Sequence, residues 1–209
     1  HPEALTRALS WENCALLTNS LKPYACCRHT HAADYCAQLL RGEHRLEPEH
    51  ITRIVDHTYQ VAVNTVDNPE PSTPYGYKFS GQYCTAAMLV YGHLGESAFT
   101  PEATSDPRVR RLMDKITLVC DPELEASYQA DRNRWAHRLE VTLEDGRVLT
   151  RQVEYPYGDF NNPFTWAYEH EKFHTLADGV LGPDRVAALV ERLPHLEELD
   201  DINRLFEGL

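Results

Sequence analysis

The chain has 209 residues, 42% of them hydrophobic and 25% charged, with 20 Lys and Arg set against 32 Asp and Glu for a formal net charge of -12. That composition suits an ordinary globular protein with one substantial core, or a small domain with a helical appendage. The negative balance argues against a broad polyphosphate-binding surface, so no nucleic-acid partner is expected, while a local cluster of Lys, Arg and His can still hold a small carboxylate. No run of about 20 apolar residues offers a helical membrane span, and no apolar leader stretch opens the chain. Cys14, Cys26, Cys27, Cys36, Cys84 and Cys120 are irregularly spaced in a chain too long to need covalent staples. They are expected as thiols in a reducing compartment, the cytoplasm or an organelle matrix. The first residue is His1 rather than Met, which leads us to expect further chain before it.

In chain order, residues 1–21 are mixed in character, with a short helix or an ordered tail at Ala4 to Trp11. The segment 22–29 combines Pro23 with a dense set of reactive side chains. A helix from about Thr30 to Arg41 follows, because Ala32, Ala33, Cys36, Ala37 and Leu40 share one face. The segment 22–29 therefore lies before a helix N-terminus, where unpaired N–H groups favour an anion. Ile51, Ile54, Val55, Tyr59, Val61 and Val63 predict a strand over roughly 53–63. Residues 64–78, with Pro69, Pro71, Pro74 and Gly76, read as a long loop of the kind that forms sites.

Residues 80–95 predict a buried helix ended by Gly92 or Gly95. A second helix is expected over 106–114, with Asp106 and Pro107 at its start, then a short strand from Lys115 to Cys120. Strict alternation of Leu139, Val141 and Leu143, followed by Asp145-Gly146, predicts a hairpin whose return strand covers about 147–154. The remaining residues return to helix, with Val186, Leu189, Val190 and Leu193 on one face. The order is not a regular βαβ alternation, and it implies an α+β fold: a mixed helix-on-sheet module followed by C-terminal helices.

The densest set of chemical groups is Lys22, Cys26, Cys27, Arg28, His29 and His31. Three readings stand open. Cys and His can ligate a metal, although no second closely spaced pair completes a structural zinc motif. His can move protons near neutral pH while Lys and Arg hold carboxylates, Lys22 as a point charge and Arg28 as a planar fork. The segment can also be a structural turn with surface histidines. Cys27 would serve as a nucleophile only with a stabilised thiolate. His170 and His174, four apart, could share a helical face, for which packing or exposure is the simpler account. No glycine-rich phosphate loop or nucleophile elbow is present.

LKPYACCRHTHAADYC resembles a signature of the MmgE/PrpD family, and KFSGQYCTAAMLVYG, PRVRRLMDKITLVCD and YPYGDFNNPFTWAYEHEKFHTLADGVLG follow in the family's order. The resemblance implies a large helical domain built from the beginning and end of a longer chain, with a smaller α+β lid inserted and the active site in the cleft. On that plan residues 1–21 connect, 22–155 form the lid and 156–209 return to the helical domain. It implies lyase or isomerase chemistry on di- or tricarboxylates: dehydration of 2-methylcitrate, decarboxylation of cis-aconitate or epimerisation of iminodisuccinate. No cofactor and no metal is implied.

By the same resemblance Lys22 binds a substrate carboxylate, His29 does acid–base or substrate-binding work, and the hydroxyl of Tyr83 orients or protonates the substrate. Arg28, His31 and Ser80 are expected as substrate-binding neighbours. The decarboxylase-like pattern places a histidine near Cys27 instead, so dehydration of a hydroxylated acid is the expected reaction, with epimerisation or isomerisation next and decarboxylation third. A non-catalytic binding or assembly subunit is the alternative of a different class. The family's N-terminal helical part ordinarily supplies a catalytic Asp and His. Such a part or a companion subunit is therefore an expected partner, and self-association is another outlet for the apolar C-terminal helices.

Overall fold

A computed structural model describes residues 14–207, so the expected short helix at Ala4 to Trp11 lies outside the described residues. The chain divides into two compact units between Asn162 and Pro163.

The first unit is built on a four-stranded sheet of order β2-β1-β3-β4. After a 3-10 turn at Arg28–Thr30, α1 runs over His31–His44 and buries Ala32, Ala33, Cys36, Ala37 and Leu40. It packs against β3 and β4. β1 covers Ile51–Thr58 and stops short of the sequence expectation. Residues 60–63, expected as strand, belong instead to α2, Gln60–Val66. The β-branched run imitates a strand, but Ala62 and Val66 are buried four residues apart while Val61 is exposed, which is helical spacing. The expected loop 64–78 likewise ends in α3, Pro74–Lys78, started by Thr73, whose hydroxyl accepts from the Gly76 N–H at 2.9 Å.

α4, Gly81–Tyr91, is apolar on nearly all sides and buries every residue from Gly81 to Leu89, as a helix in the middle of a core must. It packs against α1, α6 and β2. Gly92 ends it at φ 78°, the left-handed conformation glycine adopts most easily. The Arg41 guanidinium lies against Gly92 and donates to the Leu89 carbonyl at 3.0 Å, tying α1 to the end of α4. α5, Pro101–Thr104, leads to α6, Pro107–Met113, which begins as expected with Asp106 accepting from the Arg108 N–H at 2.8 Å. β2, Ile116–Cys120, lies parallel to β1. α7, Pro122–Ala130, was not anticipated. Asp121 caps it by accepting from the N–H groups of Glu123 and Leu124, and Pro122 sits at its first position.

β3, His137–Leu143, pairs antiparallel with β1 and with β4, Val148–Val153. His137, Leu139, Val141 and Leu143 face the core, so the alternation read from the sequence holds. At the hairpin the Gly146 N–H donates to the Leu143 carbonyl at 3.0 Å and the Leu143 N–H to the Arg147 carbonyl at 2.9 Å, with Gly146 at φ 85°. The segment 156–162, assigned from the sequence to the C-terminal part, stays with the first unit. The Leu21 N–H donates to the Gly158 carbonyl at 2.8 Å, and Ser20 donates to Asp159 at 2.9 Å.

The second unit holds α8, Trp166–Leu181, and α9, Pro183–Arg192, followed by 3-10 turns at Leu193–Glu198 and Ile202–Phe206. α9 packs on α8 and on the turns, with Val186 and Leu189 buried. The Arg192 guanidinium donates to the carbonyls of Arg204, Leu205 and Glu207, holding the last described turn to α9. The exposed large apolar side chains of this unit lie on α8, at Trp166, Leu176 and Val180, and on the 3-10 turns, at Leu196, Ile202 and Phe206, while Val186 and Leu189 of the α9 face that the sequence singled out are buried. His174 pairs with Asp178 at 2.9 Å and the His170 ring lies 6.0 Å from that of Trp166, so both take helical side-chain partners.

The six cysteines are free, and among the described residues no helix is long and apolar enough to cross a membrane. Because Leu139 is wholly buried at the centre of the sheet, Leu139→Ala is expected to cost about 2–5 kcal/mol in chemical denaturation. Val148→Thr, at an exposed position of β4, is expected to stay within about 0.5 kcal/mol.

Candidate functional site

The turn that precedes α1 is held by its backbone. The Ala25 N–H donates to the Leu94 carbonyl and the Cys27 N–H to the Lys78 carbonyl, both at 2.8 Å. The polar side chains of 22–31 are thereby presented from a segment fixed on both sides rather than from a free loop. The Lys22 ammonium reaches back to the Cys26 carbonyl at 3.0 Å.

His29 is half-buried. Its Nδ1 lies 2.7 Å from the Tyr59 hydroxyl, and its ring is stacked on Trp135 at 4.5 Å between centroids with planes 5° apart. Burial, then the charges of His137, Arg28 and His31, bring its pKa from 6.5 down to about 4. Tyr59 is fully buried as the first residue after β1, and burial pushes its phenol well up, so it stays protonated. Its ring stacks on Tyr128 and meets the edge of His137.

Behind Tyr59, His137 Nδ1 lies 2.7 Å from Asp56 Oδ1 and its Nε2 3.0 Å from the Thr58 hydroxyl. The pair joins β1 to β3 in the buried layer. Arg28 donates from Nη2 to Asp159 at 2.6 Å, its guanidinium carbon lies 5.2 Å from the Trp135 ring centroid, and its buried Nη1 has no hydrogen-bond partner.

The structure thus gathers Lys22, Arg28, His29 and His31 on one turn, but gives them different surroundings. His31 is buried, with Nε2 3.3 Å from the Cys26 carbonyl. Ser80 is buried as the cap of α4 and donates to the Asn68 carbonyl at 2.6 Å. Tyr83 is buried among Tyr77 and Phe99, and its hydroxyl donates to the Ala98 carbonyl. The tyrosine hydroxyl that meets His29 is that of Tyr59. Sequence reading missed Tyr59, Trp135 and Asp159. The first was absorbed into an imagined continuous strand, whereas the last lies in the quoted DFNN segment and was within reach. Cys27 is raised by burial, which does not suit a thiolate nucleophile. Among the described residues, one group of three side chains is spaced to hold a metal: Cys26, Asp34 and Cys84, all buried.

A half-buried imidazole backed by a tyrosine hydroxyl, with Arg28 as a charged neighbour and carried on a mixed α+β unit, is an arrangement chemically suited to moving a proton. The sequence pattern of the MmgE/PrpD C-terminal domain matches residues 24–195, and the chain belongs to the MmgE/PrpD family. It is similar to a mitochondrial 2-methylcitrate dehydratase of Yarrowia lipolytica, 32% identical over 62% of this chain and 26% of that protein. A 2-methylcitrate dehydratase of Cupriavidus necator is 35% identical over 52% of this chain and 23% of its own length. A cis-aconitate decarboxylase of Aspergillus terreus is 28% identical over 92% of this chain and 40% of its own length. The chain spans about a quarter of the first two relatives.

Between about pH 6.5 and pH 4 the unfolded His29 binds more protons than the folded one, so its contribution to stability is complete above about 6.5 and is lost as pH falls towards about 4. Nitrogen-detected NMR should find His29 neutral at pH 6 with a midpoint near 4, and His29→Asn should flatten the acid-side loss of stability over that interval. A midpoint above 6 would contradict the described burial of the ring.

Proposed function

We propose that this chain forms the lid and C-terminal portion of an MmgE/PrpD-type lyase that removes water from a hydroxylated di- or tricarboxylate. The observation that carries this reading is the His29–Tyr59 contact at 2.7 Å, made from the segment that also carries Lys22 and Arg28. The names of two relatives as 2-methylcitrate dehydratases support the choice of dehydration.

In this reading His29 Nδ1–H donates to Tyr59, which leaves Nε2 as the base. At a pKa near 4 the imidazole is neutral but weakly basic. A bound substrate carboxylate raises that pKa, so the base gains strength when substrate is present. His29 takes the proton from the carbon next to a carboxylate, and the C–H electron pair becomes the carbon–carbon double bond. The hydroxyl on the neighbouring carbon leaves as water, with its proton supplied by an acid outside this chain.

Lys22 and Arg28 neutralise the carboxylates as negative charge develops. Arg28 is oriented for this by Asp159, which accepts from its Nη2 at 2.6 Å. The hydroxyl that orients the base is that of Tyr59, with Tyr83 as a packing residue and His31 and Ser80 holding the turn and the start of α4. Because the chain spans about a quarter of its dehydratase relatives, the remaining acid–base groups are assigned to an N-terminal helical part.

The test is turnover of 2-methylcitrate, cis-aconitate and iminodisuccinate by the chain alone and co-expressed with such a part. Activity on 2-methylcitrate is expected in the combined protein only. His29→Asn should lower kcat by about 10²–10⁴-fold, Lys22→Ala should mainly raise KM, and Tyr59→Phe should lower kcat more than Tyr83→Phe. Full activity of the chain alone would refute the assignment of essential groups elsewhere. Absence of turnover of all three acids by a verified assembly would favour a binding or assembly role.

A further inference from the structure

Behind the turn that carries His29 lies a second group of reactive side chains that the proposed chemistry does not use. Cys26 sits on the turn, Asp34 one helical turn into α1, and Cys84 on the first turn of α4. All three are buried, and their ligand atoms lie within 4.8 Å of one another. Cys26 Sγ is 3.6 Å from Asp34 Oδ2. The neighbouring His31, also fully buried, has its Nε2 3.3 Å from the Cys26 carbonyl.

Two of the polar atoms here are unsatisfied: Asp34 Oδ1 and His31 Nδ1 are buried without a hydrogen-bond partner. Buried polar atoms without partners are uncommon and costly, and an absent ion or water is a standard reason for them. We infer that Cys26, Asp34 and Cys84, with His31 as the neighbouring fourth donor, form a structural binding site for a single zinc ion.

The spacing agrees with that ion. A tetrahedral zinc with bonds of about 2.3 Å to sulfur and about 2.1 Å to oxygen sets its ligands about 3.8 Å apart for two sulfurs and about 3.6 Å apart for sulfur and oxygen. The observed separation of 3.6 Å between Cys26 Sγ and Asp34 Oδ2, the oxygen that also accepts from Thr30 at 2.7 Å, matches the second value, and the 4.8 Å limit on the group admits the first with small side-chain shifts. The donor chemistry selects zinc over magnesium or calcium, which take oxygen ligands. On binding, the two thiols lose their protons to solvent and the sulfur lone pairs form the bonds to the metal, with no change of oxidation state. The ion would pin the reactive turn to α1 and α4 at one point. It is closed off by protein and so supports the fold rather than the reaction.

The purified 209-residue chain, equilibrated with micromolar zinc and freed of excess, should retain one equivalent by elemental analysis. Replacement by cobalt(II) should give the intense near-ultraviolet sulfur-to-cobalt absorption together with the strong visible bands of tetrahedral cobalt. Cys26→Ser and Cys84→Ser should each weaken zinc binding by at least about 100-fold, given that even outer-shell changes cost about 10–100-fold. Cys36→Ser should leave it unchanged, because that buried thiol instead contacts the His137 carbonyl at 3.7 Å. Should the cysteine variants fail to fold by circular dichroism, the cobalt spectrum of the unsubstituted chain still decides. No retained metal, a cobalt spectrum without the thiolate band, or unchanged affinity in a folded Cys26→Ser protein would each overturn the inference.

Discussion

The hydrogen bond between Asp56 and His137, at 2.7 Å with both side chains about 1% exposed, ties the central pair of strands together inside the packed layer of the first unit. A charged or polar pair this deep survives only when each member keeps its partner, and removing one partner of a buried ion pair typically costs about 3–5 kcal/mol. The pair therefore fixes which residues of β1 and β3 lie side by side, Asp56 with Leu139 and His57 with Arg138. Register in turn decides where β1 stops. Thr58 is held through its hydroxyl to the Ala136 carbonyl, and Tyr59 leaves the sheet at a fixed point with its ring against His137. The hydroxyl that meets His29 is placed by this sequence of constraints and not by the turn that carries His29.

The turn itself solves a related problem. It brings a lysine, an arginine and two histidines into ten residues, and such a set would repel itself if fully charged. The structure separates the members by environment. Lys22 remains exposed, Arg28 is balanced by Asp159, His29 is kept neutral by burial and by its cationic neighbours, and His31 is withdrawn from solvent. The imidazole in the middle of the set thus stays unprotonated. Trp135 covers one face of His29 and lies over Arg28, so a single indole sets the orientation of both.

The parts of this arrangement legible in the sequence are those fixed by local pattern. Leu139, Val141 and Leu143 alternate because one face of β3 is buried, and Asp145-Gly146 turns because Gly146 tolerates φ 85°. α1 and α6 announce themselves through an apolar face and through Asp106-Pro107. Local pattern misleads at Val61 and Val63, where β-branched side chains sit on a helix whose buried positions are Ala62 and Val66. It is silent about partners distant in sequence. Nothing local links His29 to Tyr59 and Trp135, Arg28 to Asp159, or Cys26 to Cys84. Tyr83 shows the converse, a residue conspicuous in a recognisable segment whose hydroxyl is bonded to the Ala98 carbonyl within the core.

The parallel stacking of Trp135 on His29 at 4.5 Å has an optical consequence. An imidazolium is a far stronger quencher of indole emission than a neutral imidazole, and contact between the faces is the arrangement in which quenching is most efficient. The brightness of Trp135 is therefore coupled to the charge on His29. With Trp11 and Trp166 replaced by phenylalanine, the chain carries a light-emitting gauge of the charge at its own reactive turn, readable without any added probe.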